Sequence, residues 1–333
     1  MTEQATPVTR QRAPLRLVST KDMSRDDWLT VRKQGIGASD AAAAVGLNPY
    51  QSPLELWMIK TGRDQHLAKP DPEDDATPIY WGNVLEPIVA ECYARRTRNK
   101  VRRVNAVLQH PDPDKSWMLA NLDYSVVANE DVQILECKTA GRNGAKLWED
   151  GVPDYIQCQV QHQLAVTGKA AADVCVLICG QELQVHRIER NEEVIDQLIA
   201  LERHFWHYVE TDTPPPTDGS DSADQALRAL YPQDDGETLD FTDDEALSDA
   251  FRRLLQVRED LDRLKDHESR LKQQIQARMG EAARAIFPAG EVRWKRAQDR
   301  QTLDTGRLLT DQPEILNQYP LIKPGSRRFI IRT

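Results

Sequence analysis

Three consecutive prolines, Pro214, Pro215 and Pro216, interrupt this 333-residue sequence. Proline has no backbone N–H to give, so three in a row exclude both a helix interior and a central strand. They open a stretch that reads as a linker between what lies before and after them. The chain beyond is acidic: residues 218–249 hold eleven carboxylates against one cation, Arg228. The formal net charge of -10 therefore belongs to that stretch, and the rest of the sequence balances 42 cations against 42 carboxylates. A uniform charge of this sign would argue against an anionic partner such as nucleic acid; a segregated one leaves the question to local patches.

The breaks in composition divide the chain into four zones. Residues 1–20, rich in Thr, Gln, Pro and Arg, read as a disordered arm. Residues 21–213 carry mixed helix and strand signals. Residues 214–242 read as an acidic Pro/Gly/Ser linker, with room for one helical turn near Ala226–Leu230. Residues 243–333 form a C-terminal module. The five cysteines, Cys92, Cys137, Cys158, Cys175 and Cys179, are scattered and make no C-x-x-C pair, so neither a disulfide framework nor a zinc site is expected. No apolar run reaches the ~18 residues of a membrane span, and the N-terminus lacks an apolar signal core. A reducing cytoplasm and no membrane partner are the expectation.

The C-terminal module opens on a heptad pattern. Leu247, Ala250, Leu254, Val257, Leu261, Leu264, Leu271 and Ile275 take a and d positions, interrupted by Glu268 at an a position. This suits a coiled coil or helical arm, and equally an amphipathic helix packed on its own domain. Pro288 and Gly290 end the helical stretch, and Glu291–Ala297 and Arg328–Arg332 look like strands. With ten cations against five anions over residues 284–333, a small basic α+β unit is expected.

In the second zone, periodicity predicts helices over 24–34, 38–46, 52–61 and 80–98. Strands follow near 101–109, 117–120, 124–128 and 132–138, with a hairpin turn at Asn129–Asp131. A helix over 153–168, strands over 172–179 and 183–189, and a helix over 191–211 close the zone. The fold class is α/β, with a mixed sheet flanked by helices.

Within that frame, Asp123 is followed thirteen residues on by Glu136-Cys137-Lys138. Alternate side chains of a strand share a face, so Glu136 and Lys138 stand together while Leu135 and Cys137 turn to apolar cover. An acid and a lysine side by side make poor core. They make sense if the acid binds a hard divalent cation, Mg²⁺ or Mn²⁺, and the lysine acts on a water. Taken by itself, the pattern is also that of an edge strand with an ion pair.

The pattern resembles the signature of the PD-(D/E)XK nucleases, here L-D…E-C-K. Further blocks sharpen the resemblance: Trp28 to Asp40 with Gly35-Ile36-Gly37-Ala38-Ser39-Asp40, then Val45-Gly46-Leu47-Asn48-Pro49-Tyr50, Trp81-Gly82-Asn83-Val84-Leu85-Glu86-Pro87, and Pro153-Asp154-Tyr155 with Gln159-Val160-Gln161-His162. In this order they are similar to the YqaJ-type viral recombinase family, the lambda-exonuclease-like branch of that superfamily, over roughly residues 24–210. The resemblance implies a restriction-endonuclease-like core. It implies Glu86, Asp123, Glu136 and the Cys137 carbonyl as metal ligands, Lys138 as catalytic lysine and Gln159 beside them. Arg32 and Ser39 match the pair that holds a 5′-phosphate. Glu86 also reads as a first-turn glutamate favoured by the helix dipole, Gln159 as a polar helix-face residue, and Ser39 as a helix cap with Arg32 a surface arginine. The family's proline before the aspartate is Leu122 here, and Tyr124 replaces a small residue.

Arg95, Arg96, Arg98, Lys100, Arg102 and Arg103 place six cations in nine residues without an acid, which suits phosphate contact as well as a solvated face. The function implied is a Mg²⁺-dependent 5′-to-3′ exonuclease on double-stranded DNA ends, leaving 3′ single strands. The implied partners are two more copies in a homotrimer ring and a single-strand annealing protein. A structure-specific endonuclease (resolvase or nickase) and a non-catalytic DNA-end-binding scaffold are the alternatives. Cys175 and Cys179 follow a buried-strand pattern, so no iron–sulfur cluster is expected.

Overall fold

The first unit does not stop at the prolines: it runs to Pro232, and the second begins at Gln233. The computed structural model describes residues 13–68, 71–321 and 325–332. The first unit contains, in order, β1 (Leu15–Ser19), α1 (Arg25–Arg32), β2 (Ile36–Gly37), α2 (Ala41–Ala44), α3 (Pro53–Lys60), α4 (Pro78–Thr97), β3 (Lys100–Arg103), β4 (Ala106–Gln109), β5 (Met118–Asn121) and β6 (Tyr124–Val127). β7 (Ile134–Ala140), α5 (Asp154–Thr167), β8 (Ala171–Ile178), β9 (Glu182–Glu189), α6 (Glu192–Glu210) and α7 (Asp221–Leu230) complete it.

Two sheets share the work. A five-stranded mixed sheet has the order β3-β6-β7-β8-β9, and a four-stranded one the order β1-β4-β5-β2. β7 and β8 are parallel, with α5 as the crossover between them, and their neighbours pair antiparallel. This is the expected mixed α/β core. Ile134, Val174 and Val176 on one face meet Ile156, Val160 and Leu164 of α5. Leu135, Cys137 and Cys175 on the other face meet Val89, Ala90 and Tyr93 of α4. Strand alternation thus turns Glu136 and Lys138 towards the α5 side, as their spacing requires.

Four expectations for residues before Gln233 need correction. The stretch 101–109 is two strands rather than one: β3 joins the five-stranded sheet and β4 the other, with the chain turning at Val104–Asn105. The arm assigned to residues 1–20 includes β1, whose Leu15, Arg16, Val18 and Ser19 pair with β4 around a bulge at Leu17; residues 1–12 lie outside the described part. The linker assigned to 214–242 contains a three-turn helix. In α7, Ala223 and Ala226 are buried, and Ser222 Oγ accepts from Ser52 N at 2.8 Å while donating to Glu55 at 2.6 Å. Small residues on one face and serine caps at both α3 and α7 dock a segment that acidic composition marks as solvated. Finally, α4 starts at Pro78, so Glu86 lies in its third turn, beyond reach of the helix-dipole explanation.

In the second unit, α8 (Glu245–Met279) spans 35 residues, about 52 Å at 1.5 Å each. It stops at Gly280, before the expected Pro288–Gly290 break. Only Met279 of the helix is buried, and the heptad residues Leu247, Val257, Leu261 and Leu264 are exposed. Its C-terminal end, at Ile275 and Met279, lies beside Ala285 and Phe287 of the following hairpin. β10 (Arg284–Phe287) and β11 (Gly290–Arg293) form a hairpin, followed by α9 (Thr305–Asp311) and α10 (Ile315–Gln318). Arg328–Arg332 has no strand partner among the described residues, and β11 is shorter than the strand expected over Glu291–Ala297.

Candidate active site

Asp123 stands where the chain leaves the four-stranded sheet after β5 and enters the five-stranded sheet at β6. Its backbone carbonyl accepts from Val104 N, at the corresponding hand-over between β3 and β4. Its side-chain Oδ2 accepts from the backbone N–H of Cys137 at 2.8 Å. That bond closes the β6–β7 hairpin across its open end and sets Asp123 beside Glu136.

Glu136 is buried, and each of its carboxylate oxygens has a partner. Gln159 Nε2 donates to Oε1 at 2.6 Å and Gln163 Nε2 to Oε2 at 2.7 Å. Lys138 Nζ lies 2.7 Å from Oε1 and donates to Gln159 Oε1 at 3.0 Å. Gln159 and Gln163 are four apart on α5, one turn and one face. Gln163 was missed from sequence; the Q-x-x-x-Q spacing facing a β-strand acid was the available signal.

Glu86 approaches from α4. Arg103 Nη2 stands 3.0 Å from its Oε1, but without the angle of a hydrogen bond, and this buried oxygen has no other partner among the described residues. Arg103, the last residue of β3 and paired with Tyr124 of β6, therefore leaves the basic run and joins the acids. Burial pushes the Glu86 carboxyl above the usual range; Arg103 opposes this and Glu136 adds to it. Asp123 is raised by burial first, then by the charges of Glu136 and Glu86, against the pull of Lys138. Burial alone would lower the Lys138 ammonium, but Glu136 and Asp123 outweigh it and hold the lysine protonated above its ordinary value. Burial likewise keeps the Cys137 thiol protonated, on the opposite face of β7.

Glu86 and Asp123 thus both sense the charge of Glu136. Among the described residues, however, no three His, Cys, Asp or Glu side chains already form a metal cage. Asp123 is turned onto Cys137 N, and Glu136 onto its two amides and Lys138. Beside them Gln163 Oε1 is a second buried acceptor with no hydrogen-bond partner. Buried oxygen acceptors in excess of their donors, with Glu86 and Asp123 held above the usual carboxylate range, fit a hard cation. Tyr155 packs edge-on against Tyr50, ring centres 5.9 Å apart, near Lys138.

A second cluster forms on β2 and the turn after it. Gly35 seats β2 against β5: a Cβ there would lie 2.3 Å from the carbonyl of Trp117. Arg32 Nη2 donates to Ser39 Oγ at 2.7 Å and to Asp40 Oδ1 at 2.5 Å. The guanidinium lies over the Trp28 ring, 4.7 Å from its centre. Asp40 and Lys60 were missed from sequence, because neither shows its burial there. Lys60 Nζ donates to Asp40 Oδ2 at 2.7 Å and to the carbonyl of Arg32 at 2.7 Å. Burial would raise the Asp40 carboxyl, but Arg32 and Lys60 hold it at about 2. Burial pulls the Lys60 ammonium down, with Asp40 opposing. Ser39 is exposed, and its hydroxyl makes no helix-cap bond, so the reading of Ser39 as a simple cap fails.

The basic run is divided. Arg95 lies nine residues along α4 from Glu86, about 14 Å on the helix rise. Arg96 donates to the carbonyl of Leu183 on β9, which ties the end of α4 to the sheet. Arg98 closes α4 in the left-handed conformation, φ 62°. These three stand apart from the carboxylates.

The model for the YqaJ-like viral recombinase domain matches residues 27–170. Protein YqaJ of Bacillus subtilis (strain 168) is 34% identical over 332 residues, 98% of this chain and 99% of that one. Among solved structures, the alkaline exonuclease LHK-Exo from Laribacter hongkongensis is 20% identical with a TM-score of 0.45, covering 56% of this chain and 93% of its own. A phage related exonuclease from Haemophilus somnus 129PT is 9% identical with a TM-score of 0.36, over 56% and 99%.

Proposed function

The chain belongs to the YqaJ-like viral recombinase family, and from that premise we propose that it is a divalent-metal-dependent deoxyribonuclease. In this reading it removes one strand of a DNA duplex from a 5′-phosphorylated end, 5′ to 3′, and leaves a 3′ single strand. The observation that carries it is the gathering of Glu86, Asp123 and Glu136 with Lys138 where the two sheets meet, with the Glu86 and Asp123 carboxyls both held above their ordinary range by burial and by the charge of Glu136.

Glu86, Asp123 and Glu136, with the Cys137 carbonyl, are the proposed holders of Mg²⁺, or of Mn²⁺ in its place. Such a cation supplies charge to the phosphoryl oxygens and lowers the pKa of water. The chain's own contribution is positioning. Gln159 and Gln163 fix the Glu136 carboxylate, and the Cys137 N–H fixes Asp123. Lys138 remains an ammonium held by Glu136 and Gln159, so it orients the attacking water and offsets charge developing on the phosphate. It does not start as a free base. Arg32 and Ser39 hold the 5′-phosphate, and cleavage regenerates that group on the next nucleotide. Arg95, Arg96 and Arg98 contact the duplex backbone at a distance from the chemistry.

The proposed partners are DNA ends, two further copies in a ring, and a single-strand annealing protein, in a cytoplasmic setting. No helix of the described residues is long and apolar enough to cross a membrane. Linear duplexes differing only in the 5′-phosphate, digested with Mg²⁺ and with EDTA, test metal, reaction and end preference together. Digestion of covalently closed circles would replace the exonuclease reading with an endonuclease one, and no Mg²⁺-stimulated hydrolysis at all would leave an end-binding scaffold.

A further inference from the structure

Arg32 and Asp40 present a difficulty for an anion site. A buried carboxylate 2.5 Å from the guanidinium assigned to the 5′-phosphate offsets its charge and repels the ligand. Lys60 is the answer the fold provides. Its side chain is 2% exposed, so it cannot touch DNA, and its Nζ is spent on Asp40 Oδ2 and the Arg32 carbonyl. It comes from α3, twenty residues beyond Asp40, with no other charged partner in hydrogen-bond reach among the described residues.

We propose that Lys60 is a positioning residue that neutralises Asp40, so that Asp40 can orient Arg32 while the charge of Arg32 stays available to a 5′-phosphate. This inference rests on the reading of Arg32 and Ser39 as the phosphate pair. The local sum supports it. Arg32, Asp40 and Lys60 together carry one positive charge, and only the Arg32 side chain, 22% exposed, can offer it to solvent. The neighbouring charges are already paired: Lys33 with Asp64 at 3.2 Å, and His162 with Glu202 at 2.7 Å. Both Arg32 bonds use Nη2; among the described residues neither Nε nor Nη1 has a hydrogen-bond partner. Trp28 covers one face of the guanidinium plane. The cradle is close: a Cβ at Gly37 would lie 3.2 Å from Asp40 Oδ2 and 3.6 Å from Arg32 Nη2. Removing Asp40 and Lys60 together should therefore matter less than removing Lys60 alone; a purely structural ion pair gives that order in stability, and only the proposed role gives it in the preference for a phosphorylated end.

The test compares initial rates on 5′-phosphorylated and 5′-hydroxyl linear duplexes for the full chain, Lys60→Met, and Asp40→Asn with Lys60→Met, each with its thermal midpoint. The full chain should prefer the phosphorylated end. Lys60→Met should lose about tenfold of that preference, the size of one charge-assisted phosphate contact. The double variant should recover to within about threefold of the full chain, because one uncompensated positive charge is restored. A full chain indifferent to the phosphate overturns the reading of Arg32 and Ser39, and this inference with it. A phosphate preference that survives Lys60→Met, or that the folded double variant fails to recover, overturns the role of Lys60 alone. If Lys60→Met does not fold, the double variant decides: preference kept supports compensation, and preference lost overturns it.

Discussion

Gln163 Nε2 reaches Glu136 Oε2 at 2.7 Å across 27 residues of sequence, from the turn of α5 that follows Gln159. The two amides grip a buried carboxylate whose remaining neighbour is a protonated lysine. Glu136 is therefore fixed before any ligand arrives. Preorganisation of this kind distinguishes a site for chemistry from a surface ion pair.

Replacing Gln163 with Leu should leave Glu136 Oε2 without its neutral donor. The expected loss of stability is about 1–3 kcal/mol, read as a lowered denaturation midpoint. Hydrolysis should slow as well, because the carboxylate gains freedom to rotate. A variant as stable and as active as the parent would show that the second glutamine is incidental.

Lys138→Ala removes the ammonium while keeping the acids. Cleavage of linear duplex should fall by about 10²–10³-fold or more, the usual effect of deleting one preorganised electrostatic group. Binding to the same DNA, followed in a gel shift or by fluorescence anisotropy, should change little. Unimpaired cleavage would remove Lys138 from the site.

Adding Mg²⁺ or Mn²⁺ should raise the thermal midpoint, because a ligand that binds only the folded state stabilises it by mass action. EDTA should reverse the shift. In Asp123→Asn the shift should shrink and the metal-free protein should be less burdened by repulsion, since Glu86 and Glu136 are among the causes that raise Asp123. A midpoint indifferent to divalent cations in the parent would leave the acids without a metal to hold.

His162 offers a pH signature. Its Nδ1 meets Glu202 Oε1 at 2.7 Å and its Nε2 meets the Leu119 carbonyl at 2.9 Å, so both ring nitrogens face acceptors. Burial would lower its pKa; the Glu202 charge and bond, the Leu119 carbonyl and the more distant Asp40 reverse that and raise it. A raised folded-state value means the stabilisation is complete below the unfolded pKa of about 6.5 and is lost as pH rises through the folded value. His162→Gln should cost about 3–5 kcal/mol at the acid end of that window and progressively less above it. Equal costs at both ends would exclude an ionised pair.

Arg95 and Arg98 are exposed and distant from the acids. If they meet phosphates, each alanine variant should reduce the slope of log affinity against log salt by about one, without changing end preference. Unchanged slopes would assign them to solvent.

The sequence by itself determined which residues could share a face. Strand alternation put Glu136 with Lys138 and against Cys137, because a pleated backbone permits nothing else. Helix periodicity located α5 and α6 to within a residue or two, and the ordered blocks identified the family. Distance in space was beyond its reach. That Asp123 would bond to Cys137 N depended on the hairpin register, and that Gln163 would meet Glu136 depended on how α5 rolls on the sheet. Composition misjudged α7 because docking there uses alanines and a serine rather than large apolar groups. Nothing in the helix predicted over 52–61 marks Lys60. Only tertiary packing buried it beside Asp40, since a charge is admitted to the interior when its counter-ion, far away in sequence, is brought there by the fold.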